Sequence, residues 1–306
     1  MLDRRTFLLS SSLLLVGGCM TQPAARGENA SKSPILNAPE ILEIEKRIGG
    51  RLGVALVDGD GALIMSHRGG ERFAMCSTFK AALASMLFAA HKADTVDMFA
   101  KFGLKASDSV PYMPFVEKKL AAKEPVSLHE LAGATVMTSD NAAANLILKA
   151  VGGPQAFTSF VRANGDSLTR LDRMEPELNE NAPGDPRDTT TPEAMARLLR
   201  KLTIEDAASD PSKLSLQKWM KNSKTGASRI RAGLPEGWMA GNKTGTADRG
   251  IARNDIAIIW PVQGDEVDKP VVLTVYVDRP TVPGKQVDAA IADVARVIVP
   301  LIAPVG

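Results

Sequence analysis

The sequence predicts an α/β fold in which an antiparallel sheet built from both ends of the chain carries an inserted all-helical lobe. Three observations predict it. β-rich segments lie near the two ends, before Ser66 and after Trp238. Helical patterns follow one another between Ser77 and Ala232 with no strand signal among them. The strand-like segments are joined by short links, which imply antiparallel pairing. The α/β lobe is expected at about 37–75 and 222–306, and the all-α lobe at about 76–221.

The amino terminus reads as a targeting segment. Asp3-Arg4-Arg5-Thr6-Phe7-Leu8-Leu9 resembles a twin-arginine export signal, which would mean that the domain folds before it crosses a membrane. The apolar stretch from Phe7 to Val16 is too short to span a bilayer comfortably. Val16-Gly17-Gly18-Cys19 resembles a lipobox, in which the cysteine is lipidated and becomes the mature N-terminus. The small residues before Cys19 favour this over a cleaved signal with an incidental cysteine. Residues 1–19 are thus expected to be a signal peptide and residues 20–36, rich in Ala, Ser, Asn and Pro, a flexible tether. The expected place is the periplasm or outer cell surface, with a lipid anchor.

The folded part should open at Asn37-Ala38-Pro39-Glu40, a helix start with Pro near the first turn. Ile41, Ile44 and Ile48 give a helical stripe that Gly49-Gly50 ends. Leu52–Val57, Asp58-Gly59-Asp60-Gly61 and Ala62–Met65 read as a β-hairpin. Ala81–Ala90 has no charge, Gly or Pro and is apolar on nearly every face, so it should be a buried central helix. Ser127-Leu128-His129-Glu130 is a capping box opening a further helix. More helices are expected from Asn141 to Ala150, Ala156 to Arg162, Thr191 to Leu202 and Ser212 to Met220. Met239–Thr246, Asn254–Trp260 and Val271–Val277 read as strands, and Gln286–Ile298 as a closing amphipathic helix.

A length of 306 residues with 44% apolar and 24% charged content is that of an ordinary globular protein with ample core. A net charge of +2, without a basic run interleaved with aromatics, gives no case for nucleic acid. The three histidines, His67, His91 and His129, are scattered and not at ligand spacing, so no metal and no cofactor is expected.

Four polar clusters stand out. Ser77 and Lys80 lie one turn apart on one helix face, where a partly desolvated lysine could activate a serine hydroxyl. A chain like this holds roughly one such spacing by chance. Ser139-Asp140-Asn141 joins two helices; it is either an N-cap or a second hydroxyl and an amide aimed into a cleft. Glu175-Pro176-Glu177-Leu178-Asn179 opens a long irregular loop holding Pro183, Gly184 and Pro186. Loops of this length are solvated acidic segments or functional Ω-loops, and Arg173 and Asp188 at its mouths could pair across its neck. Lys243-Thr244-Gly245-Thr246 lies on a late strand, where Gly245 would admit a close approach to the backbone.

Together, in order and spacing, Ser77-x-x-Lys80, Ser139-Asp140-Asn141, Glu175-x-x-x-Asn179 and Lys243-Thr244-Gly245 resemble the motif set of the class A β-lactamases, over the chain from about Leu36 to its end. The resemblance implies the two-lobed serine β-lactamase-like fold, with a five-stranded antiparallel sheet. It implies a monomer that acts on β-lactams without a cofactor, by a serine acyl-enzyme route. Ser77 would be the nucleophile, and its proton would pass to Lys80 or to Glu175 through a water. The backbone N–H groups of Ser77 and Thr246 would form the oxyanion hole. Ser139 would relay a proton to the lactam nitrogen, helped by Lys243. Asn141 would bind the substrate's side-chain amide, and Glu175 with Asn179 would hold the hydrolytic water. Lys243, Thr244 and Thr246 would receive the substrate carboxylate, and Gly245 would be a further substrate-binding residue. Many family members add an arginine at the position of Ala252; Arg229, in Ser228-Arg229-Ile230-Arg231, matches a subset that places it one strand earlier. Tyr112 matches an aromatic wall of the cleft, or is a partly buried loop residue. A D,D-peptidase or a non-hydrolytic β-lactam-binding sensor shares part of the set but does not need Glu175 and Asn179.

Cys76 precedes the nucleophile. Some carbapenem-hydrolysing relatives bridge a cysteine here to one that would align with Ala247, so that bridge is not expected. The other cysteine, Cys19, leaves with the signal or carries lipid. Cys76 should pack as a small buried hydrophobe. A broad penicillin and cephalosporin hydrolase is the expectation.

Overall fold

The computed structural model describes residues 34–247, 250–263, 266–267 and 269–302. The signal segment, Cys19 and most of the tether lie outside the described residues.

Helix α1 (Pro39–Ile48) starts with Pro at its first position and ends at Gly49, at φ +59°. Strands β2 (Arg51–Val57) and β3 (Leu63–His67) form the expected hairpin. Its turn is closed by Asp58, whose Oδ1 accepts the N–H groups of Asp60, Gly61 and Ala62. The late strands are β4 (Met239–Thr246), β5 (Ala252–Trp260) and β6 (Val271–Asp278).

Strand β1 (Ile35–Leu36) corrects two expectations. The sheet has six strands in the order β1-β3-β2-β6-β5-β4, and β1 pairs with β3 in parallel. Two exposed apolar residues in a polar stretch show no periodicity, so Ile35 and Leu36 read as tether. The other five strands are antiparallel, as expected.

Side chains alternate across the sheet, so each strand feeds two cores. Val272 and Tyr276 of β6 join Ile256 and Ile258 of β5 on one face. Leu273, Val275 and Val277 join Ala257 and Ile259 on the other, under α1 and α9 (Gly284–Ile302). Gly53 of β2 lacks a side chain because a Cβ there would meet the Phe73 ring at 2.5 Å.

Between the strands lie α2 (Phe79–Lys92), α3 (Pro114–Ala121), α4 (Leu128–Met137), α5 (Asn141–Ala150), α6 (Gly153–Ala163), α7 (Pro192–Thr203) and α8 (Pro211–Lys221). The capping box at Ser127 and Glu130 opens α4 as expected. Helix α2 is the hub, packing on α4, α5, α6, α7 and α8. Phe79, Leu83 and Leu87 are fully buried, and each stabilises the fold by about 1.5–3 kcal/mol. The far end of α2 departs from the uniform burial expected, since Ala89 is exposed. The expectation of no strand in the middle of the chain also needs correcting. Lys101–Phe102 pairs with Val126–Ser127, and Thr189–Thr190 pairs with Phe73–Ala74. Two-residue ladders leave no period in a sequence.

Candidate active site

Ser77 sits in a 3₁₀ turn, Cys76–Thr78, that runs into α2. The turn is clamped. The Met75 N–H donates to Asp188 O at 2.9 Å. The Asn254 amide of β5 donates to Ala74 O at 2.9 Å and Met75 O at 3.2 Å. These contacts offset the left-handed backbone of Cys76, at φ +45°, a strain of about 1–3 kcal/mol. Gly245 has its reason here, since a Cβ would come within 2.6 Å of Met75 O and 3.2 Å of Cys76 Cβ. Cys76 is buried among Ala74, Ala247 and Ala252, as a small hydrophobe would be.

Lys80 is fully buried. Its Nζ lies 2.8 Å from Glu175 Oε1 and donates to Asn141 Oδ1 at 2.5 Å and Ser139 O at 2.9 Å. Two hydrogen bonds and one ion pair thus fix the buried side chain. Ser77 Oγ donates to Glu175 Oε1 at 3.3 Å. Glu175 Oε2 accepts the Asn179 amide at 2.6 Å, one turn of 3₁₀ helix further on. The buried Asn179 Oδ1 has no hydrogen-bond partner among the described residues.

The loop carrying Glu175 is fixed at both mouths. Arg173 Nε donates to Asp188 Oδ2 at 2.6 Å, the expected neck pair. Asp188 Oδ1 also accepts the N–H groups of Asp172 and Arg173. Inside, Asn145 of α5 grips the Glu175 backbone, accepting its N–H at 2.9 Å and donating to its carbonyl at 2.8 Å. The sequence reading missed Asn145, although a lone amide on a buried helix face was visible.

Ser139-Asp140-Asn141 divides its labour. Asp140 is the N-cap of α5, and its second oxygen accepts the N–H groups of Phe115 and Val116 at the start of α3. Ser139, at φ +61°, and Asn141 face the cleft. Asn141 Nδ2 also donates to Pro111 O, which holds the loop bearing Tyr112. Tyr112 is 60% exposed on the rim, so the partly buried alternative does not hold.

Opposite stands β4, the sheet edge. Lys243 is fully buried and donates to Ser139 Oγ at 2.9 Å and Thr244 O at 2.8 Å. Burial, and then the charge of Lys80, hold its ammonium well below the usual lysine value. Thr244 Oγ1 donates to Thr225 Oγ1 at 2.9 Å; Thr225 and Gly226 also line the cleft and were not foreseen. Arg229 reaches the same floor. It bonds Asp288 Oδ1 at 2.8 Å, Gly245 O at 3.2 Å, Asn254 O at 2.6 Å and Thr246 Oγ1 at 2.9 Å. Arg253 also pairs with Asp288 but, unlike Arg229, does not line the cleft. The cleft encloses about 660 Å³ and is lined by Ser77, Ser139, Asn179, Arg229, Thr244 and Thr246, among others.

The model of the beta-lactamase enzyme family matches residues 38–302. The chain belongs to the class A β-lactamases. It is 44% identical to the β-lactamase OXY-2 of Klebsiella oxytoca, over 85% of this chain and 87% of that one. It is 38% identical to the β-lactamase L2 of Stenotrophomonas maltophilia, over 97% and 98%. Among solved structures, the class A β-lactamase of the last common ancestor of Gram-negative bacteria is 46% identical with a TM-score of 0.81, covering 86% of this chain and 98% of that one. The class A enzyme PenP of Rhodopseudomonas palustris is 44% identical with a TM-score of 0.79, over 84% and 96%. This β-lactamase therefore opens β-lactam rings and confers resistance to β-lactam antibiotics.

Proposed function

We propose that this β-lactamase hydrolyses penicillins and cephalosporins through an ester on Ser77. Ser77 Oγ attacks the lactam carbonyl, and its proton passes to Glu175. The C–N bond breaks, and the leaving nitrogen takes a proton from Ser139; the proton on Glu175 passes on through Lys80 to Ser139, which restores both the hydroxyl and the carboxylate. Water then attacks the ester, Glu175 takes the water's proton, and that proton goes to Ser77 Oγ as the acyl C–O bond breaks. The observation that carries this reading is the Glu175 carboxylate, which meets Ser77 Oγ, Lys80 Nζ and the Asn179 amide at once. Ser77 Oγ already donates to Glu175, and no hydrogen bond joins it to Lys80 among the described residues, which favours Glu175 as the first proton acceptor. Asn179 Oδ1, to which no described residue donates, is placed to accept a hydrogen from the hydrolytic water.

Other roles follow from the same geometry. A lowered Lys243 ammonium is a readier acid toward Ser139. The Ala247 N–H donates to Ala252 O, so the preceding Thr246 N–H points to the other side of β4, the cleft side. That supports an oxyanion hole made with Ser77 N–H. Arg229 has one N–H left for a substrate carboxylate after its four protein bonds, and it aims Thr246 Oγ1 as well. Arg229→Ala should lower kcat/KM for benzylpenicillin by about 1–3 kcal/mol. An unchanged kcat/KM would move the carboxylate to Lys243 and Thr244 alone.

The decisive experiment is turnover of a chromogenic cephalosporin. Many turnovers per molecule are expected; a single stoichiometric burst would mean a β-lactam binder and overturn the reading. We propose in addition that the protein is an exported lipoprotein anchored through Cys19, which rests on the sequence signals alone and is decided by metabolic labelling with a palmitate analogue, and that it is a monomer, which rests on the family resemblance and is decided by light scattering of the domain in solution.

A further inference from the structure

The loop that carries Glu175 and Asn179 is held at its neck by Arg173 and Asp188 and on its inner side by Asn145. Its outer end has a third attachment. Asn181, two residues beyond Asn179, adopts a left-handed backbone at φ +46°. This turns its side chain toward the sheet, where Nδ2 donates to Asp278 Oδ1 at 2.9 Å and to Ile251 O at 3.4 Å. Asp278, the last residue of β6, is 6% exposed and is itself fixed by Arg51 of β2, which donates to its Oδ2 at 2.7 Å and 3.2 Å. The Arg279 guanidinium donates back to Asn181 O. Beside this strut the loop and the sheet stand apart over a cleft of about 610 Å³.

The strut joins two parts of the reaction. Ile251 directly precedes β5, whose Ala252 O accepts the Ala247 N–H at the end of β4. The same junction therefore holds the end of the Lys243–Thr246 strand and the end of the Glu175–Asn179 loop in one frame.

We propose that Asn181 is a positioning residue for ester hydrolysis, with Asp278 as its anchor. Asn181 touches neither substrate nor water. It fixes the outer end of the loop, so that Glu175 and Asn179 keep the water in line with the ester carbonyl. The inference rests on the reading that those two residues hold that water. A misplacement of about 1 Å in such a site costs up to roughly 100-fold in rate.

The test is a charge swap. Asn181→Asp sets a carboxylate against Asp278 without altering the shape of the turn. Its deacylation rate constant should fall by roughly 10- to 100-fold. Acylation should stay near the parent rate, so kcat and KM should drop together and kcat/KM should hold. Adding Asp278→Asn reverses the pair. The amide then stands on β6 and donates to the carboxylate on the loop, its oxygen accepts from Arg51, and deacylation should recover. Asn181→Gly, which tolerates the same backbone but has no amide, should show the same lesion, and Asp278→Asn should not rescue it. Unchanged acyl-enzyme lifetimes in Asn181→Asp and Asn181→Gly would overturn the proposal. So would an equal loss of kcat and kcat/KM, or a swap that does not recover. If Glu175→Ala also turns over at the parent rate, the underlying reading fails; if Glu175→Ala stalls and the Asn181 variants do not, only the strut fails.

Discussion

Glu175→Ala should form the Ser77 ester and then hold it. Removing the carboxylate takes away the acceptor for the water's proton and leaves Asn179 without the partner it meets at 2.6 Å. General-base catalysis contributes about 10²–10⁴-fold, and deacylation should slow on that scale. Acylation should weaken but persist. Lys80, fully buried, would lose its counter-ion at 2.8 Å. A buried charge without a partner is disfavoured against the free amine, and a free amine can take the proton of Ser77. Mass spectrometry after benzylpenicillin addition should show an adduct on Ser77 that lasts many times longer than in the parent. Turnover at the parent rate would remove Glu175 from the mechanism.

Asp188→Ala should be the most damaging single change to stability. Asp188 is 1% exposed. Its carboxylate accepts two backbone N–H groups and the Arg173 guanidinium, while its own N–H donates to Asp172 Oδ2 at 3.0 Å. Its carbonyl also accepts the Met75 N–H beside the nucleophile turn. Deleting the carboxylate leaves the mostly buried Arg173 with only the exposed Glu180 as a counter-ion and two part-buried backbone donors without their acceptor, a loss of about 2–4 kcal/mol. For a domain of this size that is a fall in Tm of roughly 10 °C. Asp188→Asn keeps one acceptor oxygen and should lose about half as much. Thermal unfolding followed by circular dichroism checks both, and a Tm within about 2 °C of the parent for the alanine variant would show that the neck does not hold the loop.

Much of this was legible in the sequence because the site is made of local signals. Ser77 and Lys80 are one turn apart, Ser139 and Asn141 flank a capping aspartate, and Arg173 and Asp188 bracket a loop too rich in proline to be regular. Each reads correctly from its neighbours. What was not legible depends on partners distant in sequence. The Arg229 guanidinium could be proposed for a substrate, but not that it is occupied on four sides by Asp288, Gly245, Asn254 and Thr246. Asn145 and Asn181 look like ordinary amides until the loop is folded over them. Ile35 and Leu36 escaped for a different reason: a two-residue strand is shorter than any repeat that could announce it.

The strand order has a consequence for how the protein is made. Strand β6, spanning Val271–Asp278, lies between β2 and β5, so this interior strand leaves the ribosome after the five others of its sheet. Arg51–Val57 has no permanent neighbour on that side until more than two hundred residues later. Such distant pairing makes folding slow and leaves an apolar strand edge waiting in the nascent chain. Ser77 and Lys80 are synthesised early, yet no truncated product ending before Val271 can present them in a working cleft. Antibiotic resistance therefore waits for Val271–Asp278, and a nonsense codon anywhere before Val271 is expected to abolish it.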